Sequence, residues 1–342
     1  MKLRVGLIGF GLAGRILHVP LIRTAGMEIV GVVTSQVTAA GALLPAARVH
    51  ADIESLLAES TPDLVVIASP NHLHRQQAMM ALQAGAHVVV DKPMALRAED
   101  AQQLIRAAAA ARRLLSVFHN RRWDSDFLTV RRLLGQADLG ELHHFEARWE
   151  RFSPTVRVPW KGQLEAGGGM LNDLGPHLID QVLCLFGRPE WLQADIYTQR
   201  RGAAVDDAFE IRLGRGALRI VLGASSLVSN PAPRFLVHGA AGTYTKYGLD
   251  VQEAQLKEGM QPGSIEFGIE PESQWGVLKA GATGATQRVP AERGNWLLYY
   301  QCLQRSIANG EALPVSGSDA LAVLSIIEAA RRSSASGSRV SL

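Results

Sequence analysis

Cysteine is almost missing from this 342-residue chain, which has only two, Cys184 and Cys302, far apart in sequence. That scarcity argues against a disulfide framework and a cysteine metal site, and it suits a reducing compartment, with the cytoplasm as the expectation. Long apolar runs are missing too. Past the first strand nothing approaches the length of a membrane span, so no membrane partner is expected. Lys2 and Arg4 ahead of an apolar stretch resemble a secretory leader, but the same residues read as a strand and a glycine loop, and Arg15 and His18 follow without a small-residue cleavage pattern. Neither sign of charge dominates: 35 Lys+Arg against 32 Asp+Glu leave a net charge of +3. The basic residues fall in scattered pairs such as Arg112-Arg113, Arg131-Arg132 and Arg331-Arg332. Each pair lies at or near the end of a helical pattern, where cations favour the helix dipole, so no nucleic-acid partner is expected. What remains, 47% hydrophobic and 20% charged residues, describes a globular protein long enough for two domains.

The most informative segment lies at the very start. The apolar run Leu3 to Ile8 reads as a buried parallel strand, and Ala13 to Ala25 reads as the helix that follows it. Between them stand Gly9, Phe10, Gly11, Leu12, Ala13 and Gly14. In that context the glycines form a dinucleotide fingerprint: Gly9 permits the tight turn, Gly11 lets a pyrophosphate approach the backbone, and Gly14 lets the helix pack close to the strand. The helix N-terminus then receives the phosphate charge.

Further strand-like runs recur at Glu28 to Val33, Leu64 to Ala68, His87 to Val90 and Leu115 to His119, with helical patterns between them. The alternation predicts an α/β Rossmann-type domain, a doubly wound parallel sheet over residues 1–120. Asp52 reads as the N-cap of a short helix, and Ala98 to Arg113 as a strong helix. From residue 121 to 342 the periodicity changes. In Leu142 to Phe152 the residues Phe145, Ala147 and Trp149 alternate with Glu146, Arg148 and Glu150, and Leu192 to Thr198, Phe209 to Leu213 and Leu218 to Ala224 repeat the pattern. This predicts a C-terminal α+β domain with a largely antiparallel open sheet, covered on one side by helices Pro176 to Phe186, Asn295 to Ala308 and Asp319 to Arg332. Gly259 to Arg293 reads as an extended loop region, Ser333 to Ser338 as a connection, and Arg339 to Leu342 as a last strand.

Two later clusters carry chemistry. Asp91-Lys92-Pro93 follows the strand His87 to Val90 and so emerges at the carboxyl edge of the sheet, where open α/β folds bind ligands; a surface turn is the alternative. The run Gly167-Gly168-Gly169 leads into Met170 to His177, and Asp173 and His177, four apart, share a helix face. Asp173 as a simple N-cap and His177 as a packed histidine stay open at this point.

Over nearly its whole length the chain resembles the Gfo/Idh/MocA oxidoreductases. The resemblance is carried by Gly9 to Gly14, Pro70-Asn71-His72-Leu73-His74, Ala84-Gly85-Ala86-His87, Asp91-Lys92-Pro93, and Gly168-Gly169 through Asp173 to His177. Phe118 to Asp124, Arg151 to Pro154 and Asp173 to Gln181 are similar to the branch with NADP-dependent scyllo-inositol dehydrogenases. The resemblance implies a catalytic triad of Lys92, Asp173 and His177. His177 would accept the proton of a secondary alcohol of a polyol or sugar while hydride moves to nicotinamide, Lys92 would hydrogen-bond the reacting oxygen, and Asp173 would orient the site. It further implies cofactor contacts from Ser69, Asn71, His74 and Lys92, and substrate contacts from Arg122 and Trp160. Two departures stand out: Asp91 replaces the family's usual Glu, and Trp160-Lys161 replaces Trp-Arg, removing a bidentate contact.

NAD enzymes commonly carry Asp or Glu about 20 residues past the glycine loop, on the ribose 2′-hydroxyl. This chain has Val33-Thr34-Ser35-Gln36 instead. Without a carboxylate to repel it, a 2′-phosphate can bond Thr34 and Ser35, with Arg15 or Arg48 as candidate cations; NADP is therefore the expected cofactor and NAD the alternative. No metal is expected. A homodimer or dimer-based tetramer follows from the one-sided sheet and from the resemblance. An NAD-dependent glycoside hydrolase and a non-catalytic dinucleotide-binding regulator are the competing functions on this scaffold.

Overall fold

The computed structural model describes residues 2–156, 162–163 and 165–342. From the amino terminus, strands β1 (Arg4–Ile8), β2 (Glu28–Val33), β3 (Arg48–His50), β4 (Leu64–Ile67), β5 (His87–Val90) and β6 (Leu115–Val117) alternate with helices α1 (Val19–Thr24), α2 (Val37–Leu43), α3 (Ile53–Ser55), α4 (His74–Gln83) and α5 (Ala98–Ala111). Then come α6 (Ser125–Leu134), β7 (Leu142–Glu150), α7 (Met170–Phe186), β8 (Trp191–Tyr197), β9 (Ala208–Arg215), β10 (Leu218–Ser225), β11 (Phe235–Gly239), β12 (Gly242–Lys246) and α8 (Gln252–Lys257). The chain closes with β13 (Gly276–Ala280), β14 (Thr286–Val289), α9 (Leu297–Asn309), α10 (Gly317–Ser336) and β15 (Val340–Ser341). These fall into two compact units. One holds the residues up to Asn120 with Gln252–Phe267 and Asn295–Ala322; the other holds Arg121–Val251, Gly268–Gly294 and Val323–Leu342.

In the first unit, six strands among the described residues pair in the order β3-β2-β1-β4-β5-β6, and every pairing is parallel. Leu64, Val65, Val66 and Ile67 of β4 are all fully buried, as a central parallel strand covered on both faces requires. Asp52 accepts a 2.8 Å hydrogen bond from the Ser55 amide and caps α3 as read from the sequence. The order reverses between β1 and β4, which places the carboxyl ends of these strands at the topological switch point.

The helix expected over Asn295 to Ala308 against the second sheet packs instead in the first unit, as α9 against α1. Its aromatics explain why. The Tyr300 hydroxyl lies 2.6 Å from His18 Nδ1 and the Tyr299 hydroxyl 2.8 Å from Ser116 Oγ, while Phe118 touches both tyrosine rings and the imidazole. Buried tyrosines need partners for their hydroxyls, and those partners lie in the first unit. Burial pushes the His18 pKa down to about 4, against the opposing pull of Asp91, and keeps the ring neutral.

The second unit is built on a sheet in which, among the described residues, nine strands run in the order β14-β13-β12-β11-β7-β10-β9-β8-β15. Only β10 and β7 pair in parallel; the other neighbours are antiparallel. The predicted alternation holds. Phe145, Ala147 and Trp149 are buried, whereas Glu146, Arg148 and Glu210 form an ion-paired ladder on the opposite face.

Two expectations need correction. Gly259 to Arg293 is not all loop: β13 and β14 extend the sheet there, hidden from a periodicity reading because Thr286, Gln287 and Arg288 are exposed on a short edge strand. Ser333 to Ser338 is no mere connection, because α10 runs on to Ser336. Ser333 Oγ and Ser334 Oγ each accept a 3.0 Å bond from the amides of Ala194 and Ile196. β15 pairs with β8 only at Leu192 and Trp191, so these serines complete an edge that the strand leaves open.

Candidate active site

The first unit assembles its candidate site at the ends of β1, β2, β4 and β5. Gly9 has φ +95°, and a Cβ there would strike the Ala68 carbonyl at the end of β4. A Cβ on Gly14 would run into the Gly9 carbonyl, whereas a Cβ on Gly11 would meet nothing within 4 Å. The three glycines therefore differ in kind. Gly9 and Gly14 are fixed by close packing of strand, turn and helix, while Gly11 borders open space. Phe10 is buried, and its carbonyl accepts a 3.2 Å bond from Gln36 Nε2. Beyond exposed Leu12, Ala13–His18 forms a π-helical turn that runs straight into α1.

At the end of β2, Thr34 Oγ1 accepts a 3.0 Å bond from the Gln36 amide, and Ser35 is exposed. Arg48 is ion-paired with Glu59 at 2.7 Å on the surface. After β4, Ser69 Oγ donates to Gln77 Oε1 at 2.5 Å, and Asn71 is buried. His74 is buried with Nδ1 2.8 Å from the Pro93 carbonyl and Nε2 2.8 Å from the Ser69 carbonyl. Burial lowers its pKa, against the pull of the Pro93 carbonyl, Asp91 and the Ser69 carbonyl. A neutral ring donates to only one carbonyl at a time. His74 is thus a strut between the loop after β4 and the loop after β5. On that second loop the Lys92 amide donates to Asp91 Oδ1 at 2.8 Å, and the half-buried Lys92 leads into Pro93.

The second unit presents Asp173 and His177 on α7. Asp173 is not the N-cap: its amide bonds the Gly169 carbonyl at 3.0 Å and so belongs to the first turn. Asp206 caps the helix from outside. Its Oδ2 accepts from the Leu171 amide at 2.7 Å, its carbonyl accepts from the Met170 amide at 2.9 Å, and a Cβ on Gly169 would collide with its carboxylate. One turn beyond His177, two residues fasten the helix. Asp180 receives Arg122 Nε at 2.8 Å and Nη2 at 2.7 Å in a bidentate pair, and Gln181 Nε2 donates to the Arg121 carbonyl at 3.0 Å. Gln181 Oε1 accepts Arg234 Nη2 at 2.8 Å. His177 is buried, its ring near-parallel to Trp149 at 25°.

Within the first unit the glycine turn, Thr34, Ser35, Ser69, Asn71, His74 and Lys92 thus stand at neighbouring strand ends; within the second, Asp173 and His177 lie on α7 and Arg122 binds it through Asp180. Trp160 lies outside the described residues. Asp206, Gln181, Arg234 and Trp149 were not anticipated as site residues. Asp206 had a usable signal, a carboxylate ahead of a strand with no helix of its own to cap. Gln181 stood only at the end of the run Asp173 to Gln181, and Arg234 had no signal, since only the tertiary fold brings the residue just before β11 to α7.

A parallel sheet in this order, with a glycine turn at its switch point, defines a dinucleotide-binding fold. A family model described as an oxidoreductase family, NAD-binding Rossmann fold, matches residues 3–119, and its partner, a C-terminal alpha/beta domain, matches residues 131–342. The chain belongs to the Gfo/Idh/MocA oxidoreductases. It is 36% identical to the scyllo-inositol 2-dehydrogenase (NADP(+)) IolW of Bacillus subtilis over 97% of this chain and 94% of that protein. It is 39% identical to the oxidoreductase YdgJ of Escherichia coli over 96% and 95%. Among solved structures, the oxidoreductase yvaA of Bacillus subtilis superposes with a TM-score of 0.96 at 35% identity, covering 100% of this chain and 98% of that one.

The glycine geometry separates two substitutions. Gly14→Ala pushes a Cβ into backbone and is expected to cost about 1–3 kcal/mol of stability. Gly11→Ala, beside open space, is expected to leave the melting temperature unchanged and to abolish most of the rise produced by an added nicotinamide dinucleotide. Thermal melts with and without the dinucleotide check both; equal destabilisation by the two changes would contradict the packing described.

Proposed function

We propose that the chain is an NADP-dependent dehydrogenase acting on a secondary alcohol, or in reverse a ketone, of a polyol or sugar, with scyllo-inositol as the first candidate. The observation that carries this reading is the pair Asp173 and His177, one turn apart on a helix capped and clamped from outside, in a chain that also keeps Lys92 at the end of β5. Supporting it, IolW carries that activity by name, and a D-glucoside 3-dehydrogenase of Escherichia coli is 32% identical over 55% of this chain.

The residues present fit a dinucleotide: Gly11 opens onto space, and no carboxylate stands at the end of β2. Gly9 to Gly14 and the following helical turn would hold the pyrophosphate, and Thr34 with Ser35 the 2′-phosphate. The bound nicotinamide supplies the hydride acceptor. His177 takes the alcohol proton, and Lys92 stabilises the charge that grows on the oxygen. Asp173 orients the histidine. Arg122 acts through α7, because its guanidinium is engaged by Asp180, and His74 acts through the two loops it joins. The polar sheet face carrying Glu146, Arg148 and Glu210 serves a homodimer or dimer-based tetramer; sedimentation showing only monomer at micromolar concentration would remove this part.

Lys92→Met and His177→Ala are each expected to lower kcat by roughly 10²-fold or more while the fold and NADP binding persist. Near-parental kcat in either well-folded variant would reject its role. Ser35→Asp is expected to repel the 2′-phosphate and move preference toward NAD, read as the ratio of dissociation constants for the two dinucleotides; a parent that already prefers NAD would overturn the assignment of Thr34 and Ser35.

A further inference from the structure

Trp149 belongs to the inward row of β7 with Phe145 and Ala147, where any bulky apolar side chain would fill the core. Its neighbours are not those of ordinary packing. The imidazole of His177 lies 6.2 Å from the indole, centroid to centroid, at 25°. The guanidinium carbon of Arg121 sits 4.2 Å from the same ring centroid and that of Arg234 at 5.5 Å. Both arginines are themselves held. Arg121 Nη1 donates to Asp124 Oδ2 at 3.2 Å, and Arg234 reaches Gln181 Oε1 at 2.8 Å and Asp126 Oδ2 at 3.3 Å. Gln181 follows His177 by one turn of α7, so the groups that fix the indole also grip the helix that carries the imidazole.

A histidine ring turns about a soft torsion with no strong rotamer preference, so its plane is set by what it packs against. Proton transfer depends on that plane, because the accepting nitrogen must point along the hydrogen bond. Cation–π attraction to Arg121 and Arg234 helps hold the indole beside which the imidazole lies. We propose that Trp149 is a positioning residue for His177: the indole, fixed by Arg121 and Arg234, sets the ring plane from which the histidine takes the proton. The inference rests on His177 being the base of the proposed reaction.

The test compares Trp149→Leu, Trp149→Phe and the core control Phe145→Leu. With NADP⁺ and scyllo-inositol, Trp149→Leu is expected to lose roughly tenfold or more in kcat, with the KM for NADP⁺ within about twofold of the parent. Trp149→Phe, which keeps an aromatic face, stays within about threefold. Phe145→Leu loses stability but keeps kcat. Alongside, the His177 ring resonances are followed by NMR in histidine-labelled protein and assigned with His177→Asn. The parent shows the ring-current shift of protons beside an indole, and Trp149→Leu loses it. Should the Leu variant not fold, the Phe variant decides through the same resonances, which must move when phenyl replaces indole. Parental kcat in a folded Trp149→Leu, an equal loss of kcat in Phe145→Leu, or unmoved His177 resonances would each overturn the proposal. If instead His177→Asn retains kcat or the polyol is not turned over, it is the base reading that fails, and the resonances still report whether Trp149 fixes the ring.

Discussion

The bidentate pair between Arg122 and Asp180 is the contact that fixes how α7 presents Asp173 and His177 in the second unit. Both side chains are largely withdrawn from water, at 16% and 3% exposure, and an ion pair so placed stabilises only if both partners stay matched; losing one leaves an uncompensated charge worth about 3–5 kcal/mol. Its planar fork admits one orientation of α7. With Gln181 bonded both to the Arg121 carbonyl and to Arg234, rotation of α7 about its axis would break every one of these bonds together. Asp173 and His177 inherit their directions from that clamp, as the Asp206 cap fixes where the helix begins.

In the first unit the corresponding constraint is steric rather than electrostatic. Gly9 and Gly14 bring strand, turn and helix so close that a single methyl group would meet backbone, and His74 ties the neighbouring loops by their carbonyls. Of the three fingerprint glycines, Gly11 is the one with open space around it. A turn packed this tightly, with one open glycine, has its shape before a dinucleotide arrives, so little ordering accompanies binding.

Much of this was legible in the sequence because it is local. The glycine fingerprint, the apolar runs of the parallel sheet, the Asp52 cap, the alternation in β7 and the spacing of Asp173 and His177 each express a period or a turn within a few residues. What escaped was long-range or polar. The home of α9 is decided by Tyr299 and Tyr300 finding Ser116 and His18, 183 and 282 residues away in sequence. The edge strand β14 buries only Val289 and shows no period, which hid its neighbour β13 as well, and the serines at the end of α10 look like a linker until the open amides of β8 are seen. The roles of Arg121, Gln181 and Arg234 around Trp149 likewise exist only once β7, β11 and α7 are packed together.

The claim that the chain is a dehydrogenase is tested most directly by incubating it with NADP⁺ and a panel of polyols and sugars, following nicotinamide absorbance and product together. The account predicts one reduced nicotinamide for each ketone formed. Product released without net change in the nicotinamide, as from a hydrolase that borrows redox chemistry, would contradict it, and so would dinucleotide binding with no substrate converted.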